Sequence, residues 1–306
     1  MAVAPAPGAR AWDAELTLET ADGVRLRAAL WRGGDRGLAL FLPGRTEFLE
    51  KICIPAREMV RRGYTVASLD WRGQGLSQRF AEPPLKGHVW DFAEYRRDLE
   101  ALLGAPEVAA HGPPALVIGH SMGGAVALEA EAQGTTSAAP LALSAPMVGI
   151  AMGRAMRFAA RVTAAAGRRL GRGDRWPPFG PVAEPYLATA TAEDNLLTSD
   201  PEIFEWMRRT VAADPRLAVA MPTLAWFAAA EAAMRRIARM GPLRVPALCL
   251  VGDRERVVDP NAVRETAARL GAALAEIPGA RHEPLIEAPG PRAHAWAEID
   301  AFLARA

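Results

Sequence analysis

The 306-residue chain is poor in the groups on which several chemistries depend. Its two cysteines, Cys53 and Cys249, lie far apart, so neither a disulfide framework nor a cysteine-rich zinc site is expected, and a reducing compartment fits. Lysine occurs only at Lys51 and Lys86, neither in a lysine-activating context, which leaves little room for Schiff-base chemistry. The formal net charge of +1 lacks the basic excess of a nucleic-acid binder, so no nucleic-acid partner is expected. The sequence has no G-x-x-x-x-G-K-[ST] loop, no G-x-G-x-x-G opening a helix and no H-E-x-x-H, so nucleotide and zinc-protease readings lack a motif. The opening "MAVAPAPGARAW" has no basic start followed by an unbroken apolar core, and no run of about 18 apolar residues follows. The expectation is a soluble, cytoplasmic protein.

What the chain does have is apolar residues, half of the total, enough for one large core or a domain carrying an insertion. "ELTLET" and "VRLRAALW" alternate with period two around the turn "ADG", as an antiparallel pair does. Six apolar runs bounded by Gly or Pro follow: "GLALFLPG", "YTVASLDWRG", "PALVIGHS", "PLALSAP", "VPALCLVGD" and "ALAEIPGA". Helical patterns separate most of them. This rhythm predicts an α/β fold with a mostly parallel sheet covered on both faces. Between Val148 and Met240 the strand rhythm stops and then resumes, which predicts core segments 1–147 and 241–306 with a helical insertion at 148–240.

The strongest chemical signal is "LVIGHSMGGAVALEA", a buried strand running through Gly119-His120-Ser121-Met122-Gly123 into an Ala-rich helix. In that context G-x-S-x-G describes a sharp strand-to-helix turn that exposes a serine hydroxyl. The helix N-terminus behind it favours negative charge developing at an attacked carbonyl.

A serine hydroxyl needs a base, and the base needs a group that fixes its tautomer. In this kind of fold the acid and then the histidine follow the serine. Among His88, His111, His120, His282 and His294, only the last two lie beyond the acidic loop. His282 sits in a loop directly after the last strand pattern, whereas His294 lies within a helical pattern. Asp259, followed by Pro260, reads as a helix N-cap. For the acid, Glu255 stands only modestly ahead of Asp253, because it lies further into the loop where a side chain can turn back across the sheet edge.

The segments "FLPGRTEFLEKI", "LDWRGQGLSQR", "KGHVWDFAEYRRDLEALL", "IGHSMGGAVAL", "LVGDRERVVDP" and "GARHEPLIE" together resemble the α/β-hydrolase family of lysophospholipases and monoglyceride lipases, also labelled serine aminopeptidase-like. The likeness runs from about Glu15 onward. It implies that the acid stands three residues after the glycine ending its strand, at Glu255, although many relatives carry Asp there and Asp253 stays an alternative. It implies an oxyanion hole from the backbone N–H groups of Arg45 and Met122, with Pro43 where many relatives have His. Glu47 and His88 would brace the loop, and Asp70, Arg72 and Gly73 would shape a turn.

By the same resemblance the insertion would cap Ser121. Met221, Leu224, Trp226 and Phe227 are candidates for an acyl-chain pocket, and Arg154, Arg157, Arg161 and Arg168 for transient contact with an anionic membrane surface. The implied function is serine hydrolysis of a carboxylic ester, a lysophospholipid or monoacylglycerol, with neither metal nor organic cofactor. Thioesterase and aminopeptidase chemistry, or ligand binding without turnover, are the alternatives. An aspartyl-nucleophile mechanism is disfavoured, because the elbow residue is serine.

Overall fold

Period-two patterning at the N-terminus produces two paired strands, β1 (Ala14–Glu19) and β2 (Arg25–Trp31), which run antiparallel with Ala14 opposite Leu30. The computed structural model describes residues 11–178 and 184–306. The six later apolar runs form β3 (Leu38–Leu42), β4 (Thr65–Leu69), β5 (Pro114–His120), β6 (Leu141–Ser144), β7 (Ala247–Gly252) and β8 (Ala273–Ile277). They complete one eight-stranded sheet ordered β1-β2-β4-β3-β5-β6-β7-β8, parallel from β4 through β8. This is the α/β-hydrolase fold.

Ten helices accompany the strands among the described residues: α1 (Leu49–Arg61), α2 (Ala93–Gly104), α3 (Pro106–Ala109), α4 (Met122–Ala132), α5 (Arg154–Arg169), α6 (Tyr186–Thr189), α7 (Pro201–Ala213), α8 (Leu224–Ile237), α9 (Pro260–Leu270) and α10 (Pro289–Leu303). Alternate residues of each central strand enter opposite cores. Leu38, Leu40 and Leu42 of β3 face the side covered by α2, α4, α8 and α9, while Ala39 and Phe41 face α1, α7 and α10. Both faces of these strands are therefore apolar, which is why they read as unbroken runs rather than alternating ones.

Helices α5 to α8 lie between β6 and β7, and no strand interrupts them among the described residues. This stretch shares the apolar cores of the sheet. Trp226, Ala230 and Ile237 of α8 join the first core, and Phe204 and Met207 of α7 the second. Asp200 and Thr223 cap α7 and α8 with side-chain oxygens on backbone N–H groups, and Asp259 does the same for α9. No helix among the described residues is long and apolar enough to cross a membrane.

Strand order reverses between β3 and β5, which sit side by side with successive connections leaving in opposite directions. Such a switch point opens a crevice at the carboxyl ends of the strands. The loops after β3, β5, β7 and β8 all emerge at that edge.

Candidate active site

Ser121 is the first residue past β5 and adopts φ 50°, ψ −117°, a region that costs a non-glycine residue about 1–3 kcal/mol and persists only when its surroundings impose it. Here they do. Its N–H donates to Ser144 O at 2.9 Å, and its carbonyl accepts from Met147 N–H at 2.9 Å. The flanking glycines permit a close approach: a Cβ on Gly123 would stand 1.9 Å from Leu42 O, and one on Gly119 2.8 Å from the Cα of Gly124.

His282, in the loop after β8, places Nε2 at 3.0 Å from Ser121 Oγ and Nδ1 at 2.7 Å from Glu255 Oε2. A carboxylate at Nδ1 holds the proton there and leaves Nε2 as the acceptor facing the hydroxyl. The second oxygen of Glu255 accepts from Val257 N–H at 2.6 Å and Val258 N–H at 3.2 Å. Burial pushes this carboxyl up, but the His282 imidazole and the two backbone donors outweigh it and hold Glu255 below its ordinary value. Asp253 is engaged elsewhere, accepting from Gly279 N–H at 2.8 Å on an exposed turn. The structure thus brings Ser121, His282 and Glu255 into one hydrogen-bonded chain and leaves Asp253 outside it. His294 is a half-exposed helix residue near Glu298.

The loop after β3 carries Gly44 and Arg45 against the elbow, where a Cβ on Gly44 would lie 3.1 Å from the Cβ of Ser121. Gly44 N–H donates to Glu47 and Thr46 N–H to Gln74 Oε1. Between them, Arg45 N–H has no acceptor among the described residues, and neither has Met122 N–H at the first turn of α4. Two free donors therefore flank Ser121. His88 Nδ1 lies 2.9 Å from Thr223 Oγ1, the cap of α8, so it braces the stretch above the loop. Asp70 is buried and accepts from Arg27 and from Leu49 and Leu76 N–H, anchoring a turn away from the chain of three.

Behind the chain lies a buried charged group formed by Glu47, Lys51, His120 and Glu283. Lys51 Nζ stands 2.5 Å from Glu47 Oε1 and also pairs with Glu283, whose other oxygen is 3.2 Å from His120 Nε2. Burial opposes each charge. The two carboxylates nevertheless raise Lys51 and His120 above their ordinary values, and those cations hold Glu283 below its own. Glu47, His120 and Glu283 lie close enough to share a metal ion, but the Lys51 ammonium already bridges both carboxylates.

These residues line one end of a cavity of about 310 Å³ that continues along Met147, Ile150, Leu187, Met207, Val211, Val219 and Trp226. Most of that apolar wall comes from the stretch between β6 and β7. Of the four residues considered for an acyl pocket, Trp226 lines the cavity. Leu224 and Phe227 pack with Ala160 and Ala164 of α5 instead, and Met221 offers its carbonyl to Trp176 Nε1. The division follows helix geometry: positions three apart share a face, so Leu224 and Phe227 turn to α5 and Trp226 turns inward.

A model of the serine aminopeptidase, S33, family matches residues 33–289. The chain belongs to this family. A probable lysophospholipase L2 of Haemophilus influenzae is 29% identical over 270 residues, covering 88% of this chain and 84% of that protein. Lysophospholipase L2 of Escherichia coli K12 is 29% identical over 299 residues, covering 92% and 83%. In fold, the chain is similar to a soluble variant of monoglyceride lipase from Saccharomyces cerevisiae, with TM-score 0.72, 17% identity, and 97% and 99% of the two chains covered. A monoacylglycerol lipase of Paleococcus ferrophilus gives TM-score 0.69 at 18% identity, covering 92% and 99%.

Proposed function

We propose that this S33 protein is a serine hydrolase of carboxylic esters acting on monoacyl lipids, of the lysophospholipid or monoacylglycerol kind. The observation that carries the reading is the unbroken chain Glu255–His282–Ser121 beside two backbone N–H groups without acceptors. Ser121 Oγ attacks the ester carbonyl while His282 Nε2 takes its proton. The carbonyl oxygen becomes an oxyanion received by Arg45 and Met122 N–H. His282 then protonates the leaving alcohol, and water, deprotonated by the same imidazole, cleaves the acyl-enzyme. Glu255 orients the ring and stabilises its cationic form throughout. Every step uses side chains and amides of this chain.

The long apolar wall of the cavity suits an acyl chain. The names of the L2 relatives and of the two lipases similar in fold support the same substrate class. Aminopeptidase action is less well served. A substrate ammonium group needs an uncompensated carboxylate, and the two lining the cavity, Glu47 and Glu283, are held by Lys51.

The stretch at 148–240 acts as a cap in this reading, and α5 gives it a face toward membranes. Ala160, Ala164 and Gly167 of α5 face inward, so Phe158 and Val162 point outward with Arg169, and Arg154 and Arg161 flank them. The helix holds no acidic residue, and the guanidinium groups of Arg154, Arg169 and the following Arg172 have no ion-pair partner among the described residues. An apolar stripe edged with arginine suits an anionic bilayer surface.

The test is an assay of purified protein on monoacylglycerols and lysophospholipids of graded chain length, with Ser121→Ala as control. Hydrolysis that rises with chain length and is abolished in the variant is expected. Preference for N-terminal peptide substrates would overturn the lipid reading.

A further inference from the structure

Among the described residues, Arg27, Arg45, Arg72 and Arg79 carry largely buried guanidinium groups, and two of them are compensated by acids. Arg27 pairs with Glu50 and Asp70, and Arg72 with Asp22 and Asp98. Arg45 has no carboxylate within ion-pair distance among the described residues. Its Nη2 donates to Ala220 O at 2.5 Å, its buried Nε has no acceptor, and its Cζ stands 5.1 Å from the centre of the Trp226 ring. Arg79, also without a carboxylate, differs in directing its N–H groups at five backbone carbonyls.

Burial without a counter-ion, only slightly offset by the Tyr95 hydroxyl, holds Arg45 at about 10, still charged at neutral pH. Such a group is costly unless something anionic meets it. Arg45 lines the same cavity as Ser121 and is half-buried, so the surface it keeps is turned into that cavity. The acids of the cavity do not serve it, because Glu47 and Glu283 already share Lys51.

We infer that the Arg45 guanidinium receives the phosphate of a lysophospholipid headgroup and so selects that substrate over the neutral monoacylglycerol. Arg45 N–H faces the ester carbonyl, and its side chain reaches a group some distance along the same substrate. In a lysophospholipid one glycerol unit separates the ester from the phosphate. Nη1, which has no acceptor among the described residues and is not sealed off as Nε is, remains available for an oxygen of that anion, a charge-assisted hydrogen bond. The Trp226 ring, 5.1 Å from Cζ, helps hold the guanidinium in place.

The inference rests on ester hydrolysis at Ser121, and the experiment separates the two. kcat/KM is measured for wild type, Arg45→Met and Arg45→Lys on lysophosphatidylglycerol and on the monoacylglycerol with the same acyl chain, both in neutral detergent micelles. Wild type is expected to favour the phosphate ester. Arg45→Met lowers the ratio of the two kcat/KM values by about 10- to 100-fold, the worth of a hydrogen bond to a charged group, and Arg45→Lys restores part of it. A ratio unmoved by Arg45→Met overturns the inference while leaving ester hydrolysis standing. A wild-type protein inert on both esters overturns the ester reading and this inference with it. Should Arg45→Met fail to fold, Ser121→Ala protein titrated with the two lipids, followed by tryptophan fluorescence, decides: tighter binding of the phosphate lipid is expected, and equal affinities contradict it.

Discussion

Glu283 follows His282 in the chain, yet its carboxylate reaches the residue before Ser121, with Oε2 3.2 Å from Nε2 of His120. The rings of His120 and His282 stand 4.9 Å apart. Through Lys51 the same carboxylate is linked to Glu47, which holds Gly44 N–H. One buried group thereby joins the loop that carries Arg45, the elbow that carries Ser121 and the loop that carries His282.

Glu283→Gln removes one partner of a buried ion pair and is expected to cost about 3–5 kcal/mol of stability. The pH dependence has a definite sign. Glu283 is held below its ordinary 4.5, so its contribution is present above that pH and lost as pH falls through the lowered value. His120 is raised above its ordinary 6.5, so its contribution is present below that pH and lost as pH rises through the raised value. The difference in melting temperature between wild type and Glu283→Gln is therefore largest between pH 4.5 and 6.5. A difference that is flat with pH contradicts the assignment. Turnover falls by up to about 100-fold, because the base is displaced rather than removed.

The two acids of the loop after β7 separate cleanly by substitution. Glu255→Gln is expected to lower turnover on the order of 10⁴-fold, because the amide disturbs the tautomer of His282. Asp253→Asn stays within about threefold, as substitutions at exposed sites away from the chemistry usually do. Steady-state kinetics on one ester substrate reads both. The reverse order of losses would make Asp253 the orienting acid.

Gly123→Ala forces a Cβ against Leu42 O and Pro43 O, at 1.9 and 2.6 Å. Neither atom is the end of a flexible side chain, so the strand end and the loop after it must move. Displacing one oxyanion donor is expected to lower kcat by about 10²–10³-fold, with a lowered melting temperature. Unchanged kcat would show that this loop does not serve the reaction.

Contact of α5 with membranes is read by vesicle sedimentation. Each arginine near an anionic surface contributes about 1 kcal/mol. Replacing Arg154, Arg169 and Arg172 by alanine is thus expected to weaken partition to phosphatidylglycerol vesicles roughly 100-fold, with little change on phosphatidylcholine. Phe158→Asp weakens both. Partition that ignores all of these changes contradicts a docking role for α5.

The sequence announces those features that are local. The runs that become β3 to β7 are legible because both faces of those strands are buried, whereas β8, largely exposed at the sheet edge, is marked by the Gly and Pro that bound its run. The elbow is legible because strand, glycines and helix stand in one short segment. The choice between Glu255 and Asp253 is not settled by the residues, since two acids two positions apart on one loop differ only in where their side chains turn. The group around Lys51 is hidden for another reason: Lys51 and Glu283 lie 232 positions apart. Its faint signals are one of only two lysines on an apolar helix, four residues after Glu47, and an acid adjoining His282. The apolar wall is misjudged for a third reason. Met221, Leu224, Trp226 and Phe227 look alike in composition, and only the packing of α5 on α8 decides that Trp226 faces inward.

The most direct measurement is labelling of the folded protein with a fluorophosphonate, followed by peptide mapping. A single adduct at Ser121 is expected, formed rapidly in wild type and slowed by orders of magnitude in His282→Ala. Folded wild-type protein that stays unlabelled, or an adduct at Ser121 that forms equally fast without the imidazole, would contradict nucleophilic catalysis at this site.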